Sequence, residues 1–215
     1  AGYINRSDRA LETASEIVGC LNTAAVSGPS HAGGIVGYSE NRCAADVRSA
    51  IKNCLNTGAV SSSACAGGIV GRWYGFDILT CYSAGTVSAT ELCGAFAGKA
   101  EGAVFCEIDS VYLDSAAAQA VGESNPLCVE LGVKSVDAAN AGKTDSFPGF
   151  DFKTVWTMEK IGPTLTAFAG GKLPQTTTAP VTEKPVTTEA TEATEATEAT
   201  SAGSEAVTSE STETA

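Results

Sequence analysis

The 215-residue sequence predicts an all-β fold: a parallel β-helix (β-solenoid) of about four rungs with a small C-terminal cap and a disordered tail. Three observations carry that expectation. A cysteine-centred phrase recurs along the chain, each unit is cut into short β-prone runs, and paired glycines return at one place in the unit. Self-similarity at a period of about 20–50 residues marks a solenoid or array.

The phrase reads "IVGCLNTAAVS" from Ile17, "IKNCLNTGAVS" from Ile51, "ILTCYSAGTVS" from Ile78 and, decayed, "AVFCEIDSVYL" from Ala103. Its cysteines, Cys20, Cys54, Cys81 and Cys106, lie 34, 27 and 25 residues apart. The interval varies only after the glycine-framed continuation, which reads "AGGIVGY", "AGGIVGR" and "CGAFAGK". Short runs of Val, Ile, Thr and Ser between Asn, Gly and Ser-Gly read as strands, and no helical stripe is sustained. A unit of this size with roughly three short strands matches one rung of a β-helix. Gly33, Gly34, Gly67 and Gly68 suit corners where a side chain would obstruct the bend or the next rung.

"AGY" at Ala1–Tyr3 matches "VGY" at Val36–Tyr38. The expectation is a chain that begins part-way through a rung, as a fragment of a longer protein, with a first strand edge open to pairing. The boundaries expected are repeats over 1–113, a terminal strand, short helix and cap over 114–173, and a stalk over 174–215.

The eight cysteines invite four readings: nucleophile, metal ligand, disulfide half, or one brick in a stack. No C-x-x-C pair occurs, so the spacing is unlike a zinc ribbon or finger. A catalytic thiol needs a base, and His31, the single histidine, occupies a slot whose repeat partner is Cys65. Equivalent positions in a parallel sheet stack about 4.8 Å apart. The column Cys20, Cys54, Cys81, Cys106 therefore reads as an inward ladder of packed, reduced thiols. Alternation would turn Ile51 and Cys54 to opposite faces, so a bend near Asn53 is required. The next column, Leu21, Leu55, Tyr82, Glu107, ends in a charge and is expected to be exposed. Cys43, in a longer excursion, is the cysteine expected to be exposed or paired.

"RWYGFD" places Arg72, Trp73 and Tyr74 in a connection between rungs. Such aromatics can stack on a sugar or anchor a partner; the competing reading folds Trp73 and Phe76 back over the solenoid side. Asp109, Asp114 and Glu123 read as solvated carboxylates rather than a calcium site or acid–base pair. No phosphate loop, triad spacing or dinucleotide fingerprint is present, and no cofactor or metal is expected. After the repeats, "VKSVDAANAGK" suggests a short helix, and Phe150, Phe152, Val155, Trp156 and Leu165 are expected to cover the open end.

The formal net charge is −12, of which the segment from Gln175 onward, with eight Glu and one Lys, carries −7. That balance argues against nucleic acid and anionic membrane surfaces, and no apolar run is long enough to span a bilayer. The same segment holds a Thr-Glu-Ala repeat and too few large apolar residues to offset chain entropy, which reads as a disordered, charge-extended stalk.

"NCLNTGAVS…AGGIVG" resembles the GLUG-motif repeats of bacterial surface proteins, which also occur in non-catalytic regions of immunoglobulin-A-specific metalloendopeptidases. The closing "FDFKTVWTMEKIGPTLTAF" is similar to the Trp-then-Gly-Pro-x-Leu segment that often ends such arrays, and the tail looks like a wall-spanning stalk of Gram-positive gut anaerobes. The resemblance covers roughly 17–168. It implies a β-solenoid on the bacterial cell surface with an adhesive or spacer role, and it does not supply a ligand; the expectation is an extracellular, non-enzymatic adhesin or display spacer whose partner is an unidentified host or bacterial surface glycan or protein. The alternatives are a carbohydrate-binding module, or a non-catalytic piece of a secreted polysaccharide- or protein-degrading enzyme.

Overall fold

A computed structural model describes residues 2–6, 13–42, 47–101, 106–114, 119–124 and 132–171. The described residues all belong to one unit, Ala1–Gln175. The stalk over 174–215 and the reading of Cys43 lie outside the described residues.

The unit is a parallel β-solenoid. Its three complete turns start at Glu16, Ala50 and Asp77, and each carries five short strands rather than three. The second turn, for example, runs through Ala50–Lys52, Leu55–Asn56, Val60–Ser62, Cys65–Gly67 and Val70–Tyr74. Tyr3–Arg6 precedes these turns; Ile108–Asp109, Val111–Asp114, Val121–Ser124 and Val133–Val136 continue them. Corresponding strands stack in parallel register, as Ile17↔Ile51↔Ile78↔Ile108 and Val36↔Val70↔Ala97↔Val121 show.

The bend required near Asn53 is present and repeats. Gly19, Asn53, Thr80 and Ser110 all have positive φ, between 49° and 65°. This left-handed residue turns the chain so that the isoleucine before it and the residue after it both face inward. Ile51, Ile78, Cys54 and Cys81 are accordingly 0 % exposed. Thr80, a β-branched residue that disfavours this conformation, donates its hydroxyl to Oδ1 of Asn53 one turn back.

The bend also corrects the fourth rung. Ile108 pairs with Ile78 and Tyr112 with Tyr82, so Val111, not Cys106, follows Cys81 in the column. The left-handed Ser110 sets this register, and Cys106 lies five residues earlier, packed at the margin of the same core.

The column after the cysteine, expected to be exposed, is buried. With the register corrected it reads Leu21, Leu55, Tyr82, Tyr112, and the last three are almost fully covered. A second apolar core forms there between the solenoid side and Ala141, Phe147, Phe150, Trp156 and Leu165. Phe147 meets Tyr82 and Tyr112 edge-on at 5.3 and 5.0 Å, and Phe150 stacks on Trp156 at 4.2 Å. The C-terminal segment thus lies along the solenoid flank instead of closing its end. Its antiparallel hairpin, Trp156–Glu159 with Gly162–Leu165, is held in register by Trp156↔Leu165. The short helix expected in "VKSVDAANAGK" is instead the strand Val133–Val136 followed by turns.

Corner glycines are required by close approach. A Cβ on Gly33 or Gly67 would lie 1.9 Å from a backbone carbonyl oxygen of Val36 or Val70. One on Gly34 or Gly68 would lie 2.2 or 2.0 Å from the carbonyl of Gly68 or Ala95.

Candidate functional site

Strands Tyr3–Arg6, Val36–Asn41, Val70–Tyr74, Ala97–Glu101 and Val121–Ser124 form a five-stranded sheet. Period-2 alternation sorts their side chains. Ser39, Trp73 and Ala100 share one inward column, and the large indole fits because its neighbours above and below are small. Trp73 is 1 % exposed, its Nε1 donates to the Phe76 carbonyl at 2.7 Å, and its ring meets Phe96 edge-on. It therefore does not present a ring to a ligand. Arg72 and Tyr74, its chain neighbours, point outward.

The outward residues make the candidate site. One column runs Tyr3, Tyr38, Arg72, Lys99, Glu123; the next runs Asn5, Glu40, Tyr74, Glu101. Tyr3 stacks on Tyr38 with centroids 4.8 Å apart, and the Arg72 guanidinium covers the other side of Tyr38 at 5.0 Å. Arg72 Nε donates to Glu101 at 2.8 Å, and Lys99 bridges Glu101 and Glu123 at 3.0 and 3.1 Å. Tyr3 donates its hydroxyl to Glu40 at 2.8 Å, while Arg42 pairs with Glu40 and lies over Tyr74.

Those contacts set the titration of the face. Hydrogen bonds from Tyr3 and then Arg42 hold the Glu40 carboxyl below its usual range. Burial opposes ionisation of Glu101, yet Arg72 and Lys99 together keep its carboxyl low. Burial, then Glu40, raises the Tyr38 phenol. His31, at the neighbouring corner and 5.7 Å from Tyr38, is pushed down by burial and then by Arg72. A neutral imidazole beside stacked phenols suits hydrogen bonding.

Beside this face an open groove of about 340 Å³ is lined by Gly2, Tyr3, Pro29, Ser30, His31 and Tyr38. Its size is at the lower end of ligand-holding clefts, about 300–1,000 Å³. The arrangement offers aromatic edges, a hydroxyl-bearing rim and paired charges, which is recognition chemistry. Among the described residues no cluster of three or more His, Cys, Asp or Glu is arranged to hold a metal.

The sequence reading named Arg72 and Tyr74 on this face and omitted Tyr3, Tyr38, Lys99, Glu40 and Glu101. A signal for one column was present: the three glycine blocks end in Tyr38, Arg72 and Lys99. Cys20, Cys54 and Cys81 lie together in the interior column, while the corner glycines Gly33, Gly34, Gly67 and Gly68 face the backbone of neighbouring strands and turns. The described cysteines Cys20, Cys54, Cys65, Cys81, Cys93 and Cys106 are free thiols.

Comparison with protein-family models, with curated proteins and with solved structures finds no match to this chain in any of the three.

Proposed function

We propose that this chain is a non-enzymatic repeat scaffold displayed outside a bacterial cell, adhesin-like in that its outer sheet face meets a surface glycan or protein. The observation that carries the reading is where the recurring residues go. The repeated Ile, Cys, Asn and Gly are spent on the bend, the core and the corners, whereas the outward column changes from Tyr to Arg, Lys and Glu along the axis. A constant interior under a varying face is how repeat proteins present a contact surface. The resemblance to GLUG-motif arrays supports the same location and role.

A carbohydrate ligand is the second reading, favoured by the groove beside Tyr3, Tyr38 and His31. A glycan array and a panel of host surface proteins, probed with the wild-type chain and Tyr38→Ala, test both. Binding to a glycan or protein that falls at least tenfold in Tyr38→Ala is expected. Binding indifferent to Tyr38→Ala moves the contact elsewhere, and turnover of any glycan or peptide by the purified chain overturns the non-enzymatic reading.

A further inference from the structure

Three carboxamide side chains of the solenoid each cap a backbone carbonyl. Asn22 donates to the Ala24 carbonyl at 2.9 Å, Asn56 to that of Gly58 at 3.1 Å, and Gln119 to that of Cys93 at 2.8 Å. Register makes Ser83 the third-turn counterpart of Asn22 and Asn56, and Gly85 the counterpart of Ala24 and Gly58. A serine is too short to reach round the bend, so among the described residues no side chain caps the Gly85 carbonyl. The Ser83 hydroxyl has no hydrogen-bond partner either, in a residue only 2 % exposed.

The fourth turn leaves this bend open. Leu113 pairs with Ser83 and Val121 with Ala97, so the fourth turn covers in 113–121 what the third covers in 83–97. Val87–Ala89 and Leu92–Gly94 are in consequence the outermost strands of their sheets. In the first two turns Val26 and Val60 donate their N–H groups to the Ala59 and Thr86 carbonyls of the next turn. The corresponding Val87 N–H meets no backbone carbonyl among the described residues. Ser83, Gly85, Val87, Ala95, Asp114 and Gln119 stand around a cleft of about 290 Å³ at this place.

We propose that this cleft binds a primary carboxamide, set against Gly85 as the Asn56 amide is set against Gly58. One planar group supplies both missing partners: its N–H donates to the Gly85 carbonyl, and its oxygen accepts from the Val87 N–H or the Ser83 hydroxyl. A carboxylate has no N–H to give and brings a second negative charge beside Asp114, so the site prefers the amide to the acid. A polar site whose groups stay unpaired against the wrong ligand discriminates strongly. The cleft is at the small end of ligand-holding clefts, about 300–1,000 Å³, and suits one short group. That group belongs either to a free small amide or to an Asn or Gln side chain of a partner.

The test titrates the isotope-labelled full chain with propanamide and, separately, with butanone, its isostere without the N–H, and follows the Gly85 and Val87 amide resonances by NMR. Saturable shifts with propanamide are expected, and binding of butanone weaker by roughly tenfold or more, the measure of one unpaired hydrogen bond. Ser83→Asn carries its own amide into the cleft and should abolish the propanamide shifts while raising the urea midpoint. The tripeptide Gly-Gln-Gly names the source: tighter binding than propanamide assigns a partner's side chain, and weaker binding assigns a free amide. No saturable shift at either resonance, equal binding of the ketone, or propanamide binding retained in Ser83→Asn overturns the proposal. If Ser83→Asn does not fold by circular dichroism, the comparison of amide with ketone in the wild-type chain decides alone.

Discussion

Asn22 donates through Nδ2 to Oδ1 of Asn56 across 2.8 Å, one turn further along the solenoid axis. Asn22 also donates to the Ala24 carbonyl, and Asn56, 0 % exposed, donates to the carbonyl of Gly58. The Asn of "CLNT" thus closes a bend within each of the first two turns and ties the first turn to the second. Register places Ser83 in the third position, where its buried hydroxyl has no hydrogen-bond partner.

Asn56→Ala should destabilise the solenoid by about 1–3 kcal/mol, because it removes the buried bond to the Gly58 carbonyl and the turn-to-turn bond from Asn22. Ser83→Asn should stabilise by roughly 1 kcal/mol, by extending the ladder opposite Gly68. Urea unfolding monitored by circular dichroism reads both. A Ser83→Asn variant less stable than wild type would show that the third position cannot take the amide.

Gly67→Ala should be among the worst tolerated small substitutions. Its methyl group would sit 1.9 Å from the Val70 carbonyl oxygen and 2.7 Å from the Gly98 nitrogen, both backbone. Backbone must move at two turns, at a cost of at least ~1–3 kcal/mol. Gly170→Ala, which meets nothing within 4 Å, controls for glycine loss as such, although its positive φ still carries strain. Comparable melting temperatures for the two would argue against close packing at the corner.

Trp73→Ala and Trp156→Ala should each cost about 3–5 kcal/mol, through separate cores. Trp73 belongs to the solenoid interior and Trp156 to the flank. Limited proteolysis should separate them. Trp156→Ala releases cleavage within 137–171 first, while Trp73→Ala opens the turns themselves. Identical fragment patterns would mean that the two cores unfold as one.

Stability should fall at alkaline pH. Burial pushes the Cys65 thiol from 9.0 up to about 11 and the Tyr82 phenol from 10.0 up to about 12. Both folded values lie above the unfolded ones, so their contribution is full below pH 9 and is lost as pH rises through about 9–12. Cys65→Ala should flatten the lower part of that decline and Tyr82→Phe the upper part. Denaturant midpoints measured from pH 8 to 11 check the first, and an unchanged slope in Cys65→Ala would refute it.

Much of the architecture was legible because a stack repeats its interior. Ile17, Ile51 and Ile78 recur with the cysteines since each turn meets the one before it in the same register. The fourth turn was misread because the cysteine is the conspicuous letter, whereas the left-handed bend is what sets register. Bend residues differ in identity, Gly19, Asn53, Thr80 and Ser110, and share only a conformation. The outer face was half legible: Tyr38, Arg72 and Lys99 end homologous blocks, but Tyr38 is covered by Arg72 from 34 residues on and Arg72 pairs with Glu101 from 29 residues on.

By itself, then, the sequence determined that the chain coils, how long each turn is, and which small residues the corners demand. Periodic contacts between like residues leave a periodic text. Tertiary structure decided that Trp73 is interior, that Val111 replaces Cys106 in the column, and that the C-terminal aromatics pack along the flank on Leu55, Tyr82 and Tyr112. Those outcomes depend on which surface is left uncovered once the turns have stacked, and a local run of residues does not encode the shape of a surface built from three turns.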